Sequence, residues 1–199
     1  MVTLSKDRQH PNNEMLDRPI PEGAILIPNN ATKVFSGEIF DVYQWPQEMY
    51  DGSTATFEML KRPDTVLIVC LDEHNNVITL TESQPGIGEW SYSMPGGRVD
   101  PSDESILDAA KREVKEETGY EFSSWKLVEV TQPQRKIEWF IYIYVAQGVI
   151  AKGVPTPDAG EKIQVVPVEY SEFIAHSSDA RRTEVLRKCS TVEELLRYN

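Results

Sequence analysis

The sequence predicts an α+β domain in which a mixed sheet is layered with helices. Three observations carry this expectation. Short runs of strand character, separated by turn residues, fill most of the chain. One stretch, between Pro101 and Gly119, switches to helical periodicity, and further helical segments close the chain.

Residues 1–23 are polar and proline-bearing without helical or strand period, and so read as a loosely ordered lead-in. Residues 24–62 hold AILIP and then TKVFSGEIFDVYQWPQEMYDGSTATFEMLKRP. There Asp51-Gly52, lying between two alternating runs, signals a hairpin, so a small antiparallel sheet is expected over 24–62. Thr65–Leu71 and Val77–Thr81 read as strands joined by a polar turn through Asn75-Asn76, and Trp90–Met94 as a short strand entering Pro95-Gly96-Gly97. In the helical stretch Ser102 or Asp103 can cap, Leu107, Ala110 and Val114 share one face, and Gly119 ends the helix. Trp125–Thr131 and Trp139–Gln147 read as strands, the second nearly continuous in apolar residues and therefore central. After the Gly/Pro loop 153–160 come a strand, Lys162–Val168, and helices at Glu169–His176 and Asp179–Arg197.

Composition narrows the function. With 20 Lys+Arg against 32 Asp+Glu, the net charge of −12 repels a phosphate backbone and argues against nucleic-acid partners. A phosphorylated small molecule remains compatible if divalent cations stand between it and concentrated carboxylates. Cys70 and Cys189 lack a second pair and CxxC spacing, so they read as reduced thiols. No apolar stretch is long enough for a membrane span and the first residues lack a signal-peptide run, which makes a cytoplasmic protein the expectation.

The chemistry lies between Gly96 and Tyr120. Glu113, Glu116 and Glu117 are related as i, i+3 and i+4, so their carboxylates share one helix face. Such crowding is ordinarily a solvated, charge-laced face, and Arg112 beside Glu116 at i, i+4 would suit that too. Here a two-glycine loop, a cap, the carboxylates and a terminating glycine follow in order. That order favours a site for a hard divalent cation, which takes a few carboxylates plus water and substrate phosphates.

The stretch resembles the Nudix box: Gly, five residues, Glu, seven residues, Arg-Glu, apolar, any, Glu-Glu, any, Gly, apolar. Arg112 through Tyr120 match its second half throughout. Six residues instead of five separate Gly97 from Glu104; alternatively Asp103 takes the glutamate's place and the extra residue falls on the helical side. The resemblance implies a mixed sheet sandwiched between helices, Mg²⁺ or Mn²⁺ as cofactor, and hydrolysis of a phosphoanhydride. It implies Glu113 and Glu117 as principal metal ligands, Glu116 as a further one, and help from the Gly97 carbonyl. Arg112 would orient a carboxylate and Glu104 would brace the loop.

The strand-rich segment ahead of the box is similar to that of the ADP-ribose and ADP-sugar pyrophosphatases. By that likeness 24–62 is a dimerisation subdomain and 63–199 the hydrolase domain. A homodimer is also expected because so small a sheet buries too little apolar surface alone. The family's turn after the box has its counterpart in Gln132-Pro133-Gln134 with Glu138, and its acidic loop in Pro157–Glu161. Glu161 is thus the candidate general base or an additional metal ligand, with Arg112 and Glu116 beside it in the catalytic set and Glu138 as the second candidate. Trp90 is an aromatic that could stack on adenine and Arg135 a cation for phosphates; with Arg98 and Glu138 they form the candidate substrate contacts. The expected reaction yields a nucleoside monophosphate and a sugar phosphate from ADP-ribose or a nucleotide-sugar. The alternatives are a nucleoside triphosphate or dinucleotide substrate, or an idle module that only binds a nucleotide-sugar.

Overall fold

The computed structural model describes residues 18–198. Strands β1 (Thr32–Ser36), β2 (Asp41–Glu48) and β3 (Thr54–Lys61) come first, followed by β4 (Thr65–Leu71), β5 (Val77–Gln84), β6 (Gly88–Ser93) and β7 (Gly96–Arg98). Helix α1 (Ile106–Thr118) precedes β8 (Tyr120–Thr131), β9 (Ile137–Glu138), β10 (Ile141–Lys152) and β11 (Lys162–Val168). Four short helices end the chain: α2 (Tyr170–His176), α3 (Ser178–Arg182), α4 (Glu184–Lys188) and α5 (Val192–Arg197).

The main sheet runs β11-β5-β4-β10-β8, with β6 paired to β5 and β7 to β4, and is mixed because β4 and β10 run parallel. Alternation along β4 explains the layers. Val66, Ile68 and Cys70 point to the face covered by Ala109, Ala110 and Val114 of α1. Val69 and Leu71 point to the other, under Phe173, Ala180, Leu186 and Leu195 of the C-terminal helices. The expected α+β sandwich is the observed one. Cys70 and Cys189 are free and buried, one in each layer's core.

A second sheet, β1-β2-β3-β9, contains the hairpin expected at Asp51-Gly52, where Gly52 takes φ 80°. Most of the lead-in, residues 1–17, lies outside the described residues. From Arg18 on it is tied down: Arg18 donates to both carboxylate oxygens of Asp64, at 2.6 and 3.0 Å, and Tyr142 donates its hydroxyl to the Pro19 carbonyl.

Three expectations need correction. AILIP is not a strand, since its backbone is satisfied by side chains in place of a neighbouring ladder. The Ile25 amide donates to the Gln132 side chain, Gln132 donates back to the Ile25 carbonyl, and the Ile27 amide donates to Glu138 at 2.7 Å. The helix expected over Asp179–Arg197 breaks into three, because extended backbone at Thr183, Cys189 and Thr191 restarts the chain each time. The break at Thr183 is reinforced by its hydroxyl, which donates to the Asp179 carbonyl. The cap of α1 is neither Ser102 nor Asp103 but Ser105, whose hydroxyl accepts from the Asp108 amide at 3.1 Å.

Candidate active site

The glycine loop is held between β4 and α1. As β7 it pairs with β4, Val66 opposite Gly97 and Leu67 opposite Gly96, while the Ile68 amide donates to the Pro95 carbonyl. From α1, Glu117 accepts the Gly96 amide at 2.7 Å. Gly119 stops α1 in the left-handed region at φ 74°, so Glu113 and Glu117 sit in its last two turns beside the loop.

The glycines answer to different neighbours. At Gly96, with φ 154°, a Cβ would lie 2.1 Å from the Val66 carbonyl oxygen, which the sheet holds fixed. At Gly97 it would meet the Glu113 carboxylate at 2.5 Å, the movable end of a side chain. We therefore expect Gly96→Ala to cost stability, about 2 kcal/mol or more. Gly97→Ala should melt near the wild type while displacing Glu113 and abolishing divalent-cation binding. Thermal melts paired with Mn²⁺ titration check both expectations.

Glu117 is 5% exposed, and burial, reinforced by the nearby carboxylates Glu82, Glu113 and Glu161, pushes its carboxyl up to about 9. Burial likewise pushes Glu113 up to about 7, against the pull of Arg112. Arg112 organises the rest. It donates to Asp103 through Nε and Nη2, each at 2.9 Å, to Glu113 at 2.9 Å, to Glu116 at 3.0 Å and to the Arg98 carbonyl at 3.0 Å. Asp103 therefore takes the bracing place that the resemblance gave to Glu104. Glu104 is exposed and forms the extra residue just ahead of the Ser105 cap. The insertion thus falls on the helical side, and the loop keeps five residues between Gly97 and Asp103.

The acidic loop after β10 is pinned to α1 by the Gly153 amide on the Gly119 carbonyl and the Thr156 amide on the Glu116 carbonyl. At its end Glu161 accepts from the Gln84 side chain at 3.1 Å, close enough to Glu82, Glu113 and Glu117 to raise all three. Among the described residues no group of three or more His, Cys, Asp or Glu side chains is arranged to hold a metal ion unaided. The donor set still fits a hard divalent cation completed by water and phosphate: carboxylate oxygens, the loop backbone, and a buried carboxyl whose crowding a positive charge would relieve.

The remaining candidates are dispersed. Arg98 is exposed on β7, Trp90 is half-buried on β6 opposite Glu82, and Arg135 is exposed in the turn before β9. Glu138 is 2% exposed and already engaged by Lys61 at 3.1 Å, Arg18 at 3.6 Å and the Ile27 amide, a set that holds it below the usual carboxylate range against the opposing effect of burial. The sequence reading missed Arg62. Its guanidinium lies 4.5 Å from the Trp139 ring centroid and 5.6 Å from that of Phe40, and its buried Nε has no hydrogen-bond partner. Burial first, then the charge of Arg98, lowers its pKa against a smaller opposing effect of Asp64, and among the described residues no carboxylate forms an ion pair with it. Nothing local in the sequence marks Arg62, because the Trp139 face beneath it comes from a distant segment.

A model of the NUDIX domain matches residues 61–189. The chain is 29% identical over 110 residues to a CMP-5'-(N-acetyl-N-hydroxy-3-aminopropyl)phosphonate hydrolase of Streptomyces rubellomurinus, covering 55% of this chain and 53% of that one. It is 26% identical over 99 residues to an ADP-ribose pyrophosphatase of Bacillus subtilis, covering 50% and 52%. The chain thus spans about half the length of these curated relatives. A solved structure described as an ADP compounds hydrolase superposes with a TM-score of 0.59 at 23% identity, covering 84% of this chain and 88% of that one, and shows the same fold.

Proposed function

The chain belongs to the Nudix family, and from that premise we propose that it hydrolyses a phosphoanhydride of a nucleoside diphosphate derivative, with ADP-ribose or a nucleotide-sugar as substrate. The observation that carries the reading is the convergence of Glu113 and Glu117 on the backbone of the glycine loop, with the charge of Glu161 close enough to act on both. Glu113 and Glu117, with Glu116 and the Gly97 carbonyl, would hold Mg²⁺ or Mn²⁺. Such a cation, when bound, supplies charge stabilisation for the diphosphate oxygens. Arg112, held by Asp103, orients Glu113 and Glu116. Glu161, oriented by Gln84, takes the proton of the attacking water as its oxygen bonds to phosphorus and the P–O–P bridge breaks. The products are a nucleoside monophosphate and a sugar phosphate.

In this reading Arg62 and Arg98 receive the substrate's negative charge; its support is the buried Nε of Arg62, which has no hydrogen-bond partner. Arg62→Ala should raise KM about ten- to a hundredfold, the worth of one charged hydrogen bond, with a smaller effect on kcat. Steady-state kinetics on the best substrate reads this directly. To find that substrate, we would incubate the protein with ADP-ribose, ADP-sugars, a CMP-linked phosphonate, nucleoside triphosphates and dinucleotides, with Mg²⁺ or with chelator. Turnover of triphosphates alone would overturn the substrate class, and binding without turnover would make the chain an idle binding module.

The assembly proposed is a homodimer through residues 24–62. Its support is the apolar surface of the smaller sheet, where Val34 is 51% and Phe35 59% exposed and Ile39 and Phe40 are exposed nearby. Light scattering should give twice the monomer mass at micromolar concentration, and Phe35→Asp should halve it. Among the described residues no helix is long and apolar enough to cross a membrane.

A further inference from the structure

Three consecutive residues that lead into the glycine loop are fixed by three different elements. The Gly96 amide goes to Glu117 of α1, and the Pro95 carbonyl accepts from Ile68 of β4. The Met94 amide goes to Asp179 Oδ2 of α3 at 3.1 Å. The first two belong to the sheet and the box helix. The third reaches across from the C-terminal helices, beyond any part of the box.

Asp179 is itself firmly seated. The Ser177 hydroxyl accepts its amide and that of Ala180, each at 3.2 Å, and the Thr183 hydroxyl donates to its carbonyl at 2.8 Å. Ser177, Thr183 and Met94 are all buried, so no water competes easily for the Met94 amide. Leaving that amide unpaired would release the residue from which Pro95 and the two glycines extend.

We infer that Asp179 is a positioning residue for the metal-binding loop: by holding Met94 it fixes where the Gly96–Gly97 backbone meets the Glu113 and Glu117 carboxylates. The inference rests on the metal reading proposed above. It assigns a part of the active site to the C-terminal helices, which otherwise only cover the sheet. A supporting shell of this kind is worth about ten- to a hundredfold in metal affinity.

The test compares Asp179→Ala, which removes the acceptor, with Asp179→Asn, which keeps an oxygen for Met94 and removes the charge. Glu129→Ala serves as a third variant that loosens the C-terminal helices, by freeing the amides of Glu184 and Val185, without touching Asp179 or Met94. Mn²⁺ affinity by electron paramagnetic resonance is read beside thermal melting and turnover. Asp179→Ala should weaken Mn²⁺ binding at least about tenfold and lower kcat with little change in KM. Asp179→Asn should stay within about threefold of wild type, and Glu129→Ala should melt lower yet bind Mn²⁺ normally. Wild-type affinity in Asp179→Ala overturns the inference while leaving the metal reading intact. Should Asp179→Ala fail to fold, a loss of affinity about tenfold or greater in Asp179→Asn overturns it, since the hydrogen bond is retained there. A wild-type protein without Mn²⁺ affinity or turnover overturns the metal reading itself and this inference with it.

Discussion

Glu117→Gln should reduce turnover about a thousandfold or more while leaving the fold in place. The substitution preserves the side chain's shape, and its amide oxygen can still accept from Gly96. On the proposed reading it removes one charge from a buried cluster whose metal-assisted stabilisation of a diphosphate would be worth several kcal/mol, at about tenfold in rate per 1.36 kcal/mol. The metal-free protein supplies an independent readout. Glu113 and Glu117 titrate near 7 and 9 in the folded chain against 4.5 as free groups, burial being the first cause for both. Folded values above unfolded ones mean that their stabilising contribution is complete below about pH 4.5 and is lost as pH rises through about 7 and then about 9. In chelator the wild-type melting temperature should therefore fall between pH 6 and 9, and fall less in Glu117→Gln. Glu121 is the right control, because its bond to Lys115 lies on the surface. Glu129, an equally remote acid by sequence, is not a neutral control: it caps the start of α4 through the amides of Glu184 and Val185. A Glu117→Gln protein near wild-type activity would overturn the reading of the cluster as a metal site.

Glu138→Ala should show the opposite pattern, a large loss of stability with no specific loss of chemistry. Its carboxylate is buried among Lys61, Arg18 and the Ile27 amide, and breaking a buried ion pair by removing one partner costs about 3–5 kcal/mol. For a chain of this size that corresponds to a melting temperature lower by roughly 10 °C. Whatever remains folded should keep its kcat. A fall in kcat at unchanged melting temperature would instead make Glu138 part of the chemistry, the role its place in the sequence suggested.

These two glutamates show where the sequence was legible. Glu117 lies in a helix whose periodicity and terminating glycine are local, so its place beside Glu113 could be read directly, while its bond to the Gly96 amide could not. The strands from Thr65 to Leu71 and from Lys162 to Val168 were equally plain, because alternation and turn residues are local too. Glu138 and AILIP were not, since the same apolar and charged letters serve a strand, a site or a buried ion pair, and the choice depends on what a distant segment presents. Arg62 on Trp139 and Asp179 on Met94 are of that kind as well. The bracing acid was a narrower case. Asp103 and Glu104 are adjacent, and only the position of the Ser105 cap decides which of them faces Arg112.

The side-chain pairing of Ile25 and Ile27 also constrains the order in which the chain can fold. Their partners, Gln132 and Glu138, lie 107 and 111 residues further on, and β9, which closes the open side of β3, comes from the same late segment. During synthesis from the N-terminus, the first fifty described residues can form their hairpin early but have nothing to dock on. Contacts of such sequence separation are slow to form, because loop-closure entropy is spent before they contribute. Until the segment after β8 emerges, β3 presents an unpaired edge beside an apolar face, the kind of surface that chaperones bind and neighbouring chains pair with. Docking of the N-terminal segment is thus a late step of folding, and crowding of nascent chains would interfere there first.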